Sequence, residues 1–62
     1  MAMYDLYVAG DCISQHEEWE EARKAFYEQV IEHPDCPIDI MDSDGDSLLA
    51  YDEVTEQVYN YK

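Results

Sequence analysis

The sequence predicts an α+β domain, a small antiparallel sheet of two β-hairpins packed on one helix in the order ββαββ, with residues 1–62 as a single domain. Three observations carry that expectation. Around Gly10 and Gly45 the chain alternates apolar and polar positions, the two-residue period of half-buried strands. Between residues 15 and 32 apolar side chains instead recur every three or four positions, the period of a helix with one buried stripe. Trp19, Phe26 and six tyrosines supply aromatic bulk that a disordered acidic tail lacks.

In residues 3–9, Tyr4, Leu6 and Val8 occupy alternate positions. Gly10-Asp11 is the expected two-residue turn and sets Val8 opposite Ile13. Ser14-Gln15-His16-Glu17 has the form of a capping box. The serine oxygen would accept from the Glu17 amide, and the Glu17 carboxylate from the Ser14 amide. The helix then runs to about Glu32 with Trp19, Ala22, Phe26 and Val30 as its apolar stripe, and Pro34 ends it. In residues 37–53, Asp44-Gly45 is a strong hairpin signal. Its register sets Met41 opposite Leu48, Ile40 opposite Leu49 and Ile38 opposite Tyr51, and pairs Asp42 with Ser47 near the tip. Ile38, Ile40, Leu49 and Tyr51 then share one face, as a hairpin with one buried side requires. Residues 54–62 fit two periods: Val54, Val58 and Tyr61 suit a short helix beginning near Asp52, and Thr55, Gln57, Tyr59 and Tyr61 suit a strand. A short C-terminal helix is the expectation. Packing would bury Trp19, Phe26 and Val30 against Leu6, Val8, Ile40 and Leu49.

Charge is the strongest compositional fact. Sixteen residues are Asp or Glu and three are Lys or Arg, a formal net charge of -13. Self-repulsion on that scale opposes compaction, in a chain short enough to bury only about 60% of its unfolded surface. Direct binding to DNA or RNA is excluded as an expectation, because Arg23, Lys24 and Lys62 cannot offset repulsion by phosphates. No apolar run approaches the ~20 residues of a membrane span. Met1 to Ala9 lacks the basic start of a secretory signal, so the expected compartment is the cytoplasm.

Cys12, His16, His33 and Cys36 invite a metal or disulfide reading, but a helix over residues 15–32 would hold His16 and His33 roughly 25 Å apart. Two reduced thiols are expected, with no cofactor. Catalysis is not expected either. There is no glycine-rich phosphate loop, no carboxylate pair stands out as an acid–base couple, and Cys12 with His16 forms a nucleophile–base pair supported by nothing else.

Asp42-Ser-Asp44-Gly-Asp46-Ser47-Leu-Leu49-Ala-Tyr-Asp-Glu53 resembles an EF-hand calcium loop, with carboxylates at loop positions 1, 3, 5 and 12 and an apolar residue at position 8. The resemblance implies an all-α helix–loop–helix as the alternative fold, Ca2+ as ligand, and Asp42, Asp44, Asp46 and Glu53 as the metal-binding residues. Two features depart from that family. Ser47 stands where it has glycine, and Pro34 and Pro37 interrupt the entering helix. In size and charge the chain also resembles small phage-encoded inhibitors, including anti-CRISPR and anti-restriction proteins. That likeness implies an interaction protein that mimics nucleic-acid charge and occludes the basic surface of a DNA- or RNA-binding enzyme, in the host cytoplasm. The display would comprise Glu17, Glu18, Glu20, Glu21, Glu28 and Glu32 on the helix, with Asp42, Asp44 and Asp46 at the hairpin tip. A third reading is a small acidic adaptor or homodimer that makes contacts through Tyr59 and Tyr61.

Overall fold

The structure, a computed structural model, describes residues 3–62 as five strands and one helix. Strand β1 spans Tyr4–Val8, β2 Asp11–His16, β3 Ile38–Met41, β4 Ser47–Asp52 and β5 Gln57–Asn60, and helix α1 spans Trp19–Glu32. All strands pair antiparallel in one sheet of order β2-β1-β3-β4-β5. The α+β class and the two hairpins around one helix follow the expectation. The all-α EF-hand alternative does not, because the second half of its loop is the strand β4 and the residues that would form its exit helix are a turn and the strand β5.

The core lies between α1 and one face of the sheet. Leu6, Ala22, Phe26, Ile38, Ile40, Leu49 and Tyr51 are buried there, with Tyr4, Val8, Trp19, Ala25 and Val30 packed around them. Leu6, Ile40 and Leu49 form one row across three strands, and Ile38 and Tyr51 a second. Tyr51 ties β4 to the loop after the helix by donating its phenol proton to the Pro34 carbonyl at 2.9 Å. The Ala9 amide donates to the Pro37 carbonyl at 2.8 Å and closes the same end.

Four local expectations are corrected. The first turn is Ala9-Gly10, both with positive φ (53° and 86°), and it pairs Val8 with Asp11 rather than Ile13. A register shift between Leu6 and Tyr7 leaves Ile13 unpaired and 48% exposed. Ser14 does not cap the helix. It pairs with Leu6 inside β2, and its hydroxyl lies 2.9 Å from His16 Nε2. Ladder bonds to β1 hold residues 14–16 extended, so α1 begins at Trp19 with Glu18 as N-cap and no side-chain cap bond. In the second hairpin Ile38–Tyr51 and Ile40–Leu49 pair as expected, but Met41 faces Ser47 and Leu48 becomes the extra residue. The loop there is one residue longer than Asp44-Gly45 implies. The Gly45 amide bonds the Asp42 carbonyl, the Asp42 amide bonds the Asp46 carbonyl, and Gly45 takes φ 85°. A β-turn followed by a left-handed glycine is a favoured three-residue hairpin loop.

The fourth correction is the tail, which is a strand. Asp52 makes the turn that precedes it. Its carboxylate accepts from the amides of Val54 and Thr55, its carbonyl accepts from Glu56, and Glu56 takes φ 58°. That reversal returns the chain along β4. Beyond β5 the Lys62 amine lies 5.3 Å from the Trp19 ring centre and 6.0 Å from that of Tyr4.

Candidate interaction surface

Strand ends decide how the carboxylates are grouped. Tyr4, at the start of β1, pairs with His16 at the end of β2, and Asp5 pairs with Met41 at the end of β3. Strands β2 and β3 therefore leave the sheet at the same end. After β2 come Glu17, Glu18 and the first helical turn with Glu20 and Glu21, and after β3 comes the loop of Asp42, Asp44 and Asp46. Seven carboxylates, distant in sequence, share this pole. A negative helix start is favourable in its own right, since the exposed amides there carry partial positive charge.

The remaining predicted residues do not join them. Glu28 and Glu32 lie about 12 and 18 Å further along the helix axis than Glu20, at 1.5 Å per residue. They belong to the opposite end, where the helix–β3 loop and the β4–β5 turn bring Asp35, Asp52, Glu53 and Glu56 around the Tyr51 phenol. Burial first, then those four charges, hold the Tyr51 phenol above its ordinary pKa of 10.0. Sequence reasoning missed this second pole. Its one signal was the density of acids in residues 52–56.

Along the helix between the poles the field is diluted. Arg23 bonds Glu20 at 2.9 Å, both side chains well exposed, and Lys24 follows. Two of the three basic residues thus lie on the outer side of α1, in a shallow hollow with Tyr27, Glu28 and Ile31. An exposed pair of this kind is worth at most about 1 kcal/mol, but it removes Glu20 from any uniform acidic face.

The tip loop is built around Asp42. One of its carboxylate oxygens accepts from the amides of Asp44 and Asp46, each at 2.9 Å. Ligand oxygens of Asp42, Asp44 and Asp46 lie within 4.8 Å of one another, the one group of potential metal ligands among the described residues. Glu53 is not part of it. Strand β4 rises about 3.3 Å per residue and carries Glu53 roughly 20 Å from the tip, where an EF-hand's exit helix would have brought it back. Three carboxylates, one of them engaged by backbone amides, fall short of the six to eight oxygens calcium takes.

Away from α1 the sheet presents an open face. Its central row runs Cys12, Tyr7, Asp39, Ala50, Tyr59 across all five strands. Burial within this row raises the Asp39 carboxyl above 3.8. Nearby, Asp5 Oδ1 and Ser47 Oγ are buried without hydrogen-bond partners. The shift in β1–β2 pairing places Cys12 on this face and His16 on the helix side, so the two do not form a nucleophile–base pair. Cys12 is exposed, Cys36 is half-buried, and both are free. No helix among the described residues is long and apolar enough to cross a membrane.

The class defined by this architecture is a small α+β domain, a five-stranded antiparallel sheet with one helix on one face and acidic groups at both ends. No family model, curated protein or solved structure matches the chain.

Proposed function

We propose that this domain is a non-catalytic interaction protein that presents nucleic-acid-like charge to the basic groove of a DNA- or RNA-binding enzyme and blocks it, in the manner of anti-CRISPR or anti-restriction inhibitors. One observation carries the reading. The body measures 33 × 19 × 19 Å and carries a formal net charge of -13, on average one net charge for about every 2.5 Å of its long axis, with the acids gathered mainly at its two ends. Duplex DNA carries one charge per ~1.7 Å. A rigid sheet and helix hold these groups in place, so little ordering entropy is lost when they meet Lys and Arg side chains. Binding of this kind associates fast and weakens with salt. The site of action is the cytoplasm of the host cell.

The test is displacement of labelled duplex DNA or guide RNA from a panel of restriction and RNA-guided nucleases. Effective displacement from at least one, declining as salt rises, is the expected result. The triple change Glu17→Lys, Glu21→Lys and Asp44→Lys should abolish it, while Asp35→Lys with Glu53→Lys at the other pole should weaken it less. Undiminished displacement by the first variant rejects that pole as the mimicking surface, and no displacement from any nuclease rejects the reading.

A further inference from the structure

We propose that the outer edge of β5 pairs with the same edge of a second copy of this chain, joining the two sheets into one of ten strands about a two-fold axis. The sheet has two edges, and they are treated differently. Strand β2 carries the pairing irregularity at Ile13, and bulges are one of the ways proteins blunt an edge against foreign strands. Strand β5 has no irregularity in its pairing with β4 and no charge within Gln57–Asn60. All four residues are exposed, and neither a helix nor a loop covers them.

Backbone geometry says which groups are free. The Tyr61 amide bonds the Leu48 carbonyl, and the ladder continues as Tyr59 opposite Ala50 and Gln57 opposite Asp52. Bonded and non-bonded positions alternate along an antiparallel strand. The amides and carbonyls of Val58 and Asn60 therefore point away from β4, into solvent. An antiparallel second copy satisfies all four at once when Val58 of one chain lies opposite Asn60 of the other, with Tyr59 opposite Tyr59 on the axis.

That register is self-complementary beyond the backbone. It sets Gln57 opposite Tyr61 and Tyr59 opposite itself on the open face, giving four exposed tyrosines in one ladder. Cross-strand aromatic pairs stabilise such ladders. Residues 57–62 contain no Asp or Glu. The seam therefore falls on a segment that adds no negative charge of its own to the -13 each copy carries. Because the β2 edge is blunted, addition stops at two copies rather than continuing into a fibre.

A four-residue edge pairing lies at the small end of interface sizes, so association is concentration-dependent and in the micromolar to millimolar range. Its salt dependence has a definite sign. Repulsion between two strongly acidic bodies is the opposing force, so salt strengthens the dimer, whereas binding to a basic partner weakens with salt.

Sedimentation equilibrium of the full chain, up to about 1 mM and with salt raised from about 0.01 M to about 1 M to shorten the screening length from roughly 30 to roughly 3 Å, decides the matter. A dimer whose population grows with both concentration and salt is expected. Asn60→Pro removes an outward amide that the monomer does not use, and should leave a monomer with unchanged circular dichroism. Tyr59→Lys, which sets two lysines face to face on the axis, should do the same and decides the matter if the proline variant misfolds. A wild-type chain monomeric throughout, or a dimer that survives Tyr59→Lys, overturns the proposal.

Discussion

Ala9 holds a left-handed backbone conformation, φ 53°, at the first position of the β1–β2 turn. For an L-residue with a Cβ that costs about 1–2 kcal/mol, and two-residue hairpin turns of this hand favour Asn or Gly there. Ala9→Asn should raise stability by roughly 0.5–1 kcal/mol, seen as a melting midpoint several degrees higher in a domain this small. Asp39 has a different cost. Its carboxyl is raised above 3.8 by burial, so the folded state favours the protonated form. That contribution is fully present below the unfolded value and lost as pH rises through the folded one. At neutral pH the ionised group therefore opposes folding. Asp39→Asn should melt higher than the natural chain at pH 7, with the difference closing as the pH falls below the ordinary carboxylate range. Tyr51 has the same sign at the alkaline end. Its phenol is raised above 10.0, so its contribution is lost as pH rises through the folded value, and Tyr51→Phe should flatten the alkaline limb of a pH–stability curve.

At the scale of elements, the helix and its start separate what local pattern specifies from what pairing imposes. The stripe of Trp19, Ala22, Phe26 and Val30 was legible because burial of one helical face leaves a 3.6-residue period, and Ala22 and Phe26 are indeed fully buried. Ser14 misled because a capping box is a local signal, and a local signal loses when the same residues can complete a ladder with β1. A serine that capped the helix would cost about 1 kcal/mol on change to alanine. Since Ser14 lies in β2, Ser14→Ala should move the melting midpoint little, and Glu18→Asp, which supplies the missing cap acceptor, should raise stability by about 0.5–1 kcal/mol. Phe26→Ala, at the centre of the helix–sheet contact, should cost about 3–5 kcal/mol and leave too little core for a cooperative melt. The C-terminal strand was misread for a related reason. Nine residues with two valines and two tyrosines satisfy both periods, and only the Asp52 turn, which folds the tail back along β4, selects the strand.

Across the whole molecule, charge sets the conditions under which the fold is most stable. With a net charge of -13, compaction works against repulsion that salt screens and protonation removes. The melting midpoint should rise between low and moderate salt, and rise again as pH is lowered from 7 towards the isoelectric region. At fixed ionic strength calcium should raise it no more than magnesium does, because the Asp42, Asp44 and Asp46 group lacks Glu53. A larger, calcium-specific rise would instead give the hairpin tip a metal site. The acidic poles were only half legible. Each carboxylate is plain in the sequence, but which of them are neighbours depends on where strands end.

The sequence by itself determined the class of fold, the helix stripe, the buried face of the β3–β4 hairpin and the dominance of negative charge. Each of these rests on local periodicity or on composition, which survive without knowledge of the partner strand. Tertiary structure alone decided the exact turns, the strand character of residues 57–60, the division of the acids into two poles and the open edge of β5. These depend on backbone bonds between segments remote in sequence. A one-residue change in such pairing turns a side chain to the other face of the sheet while leaving composition and local pattern untouched.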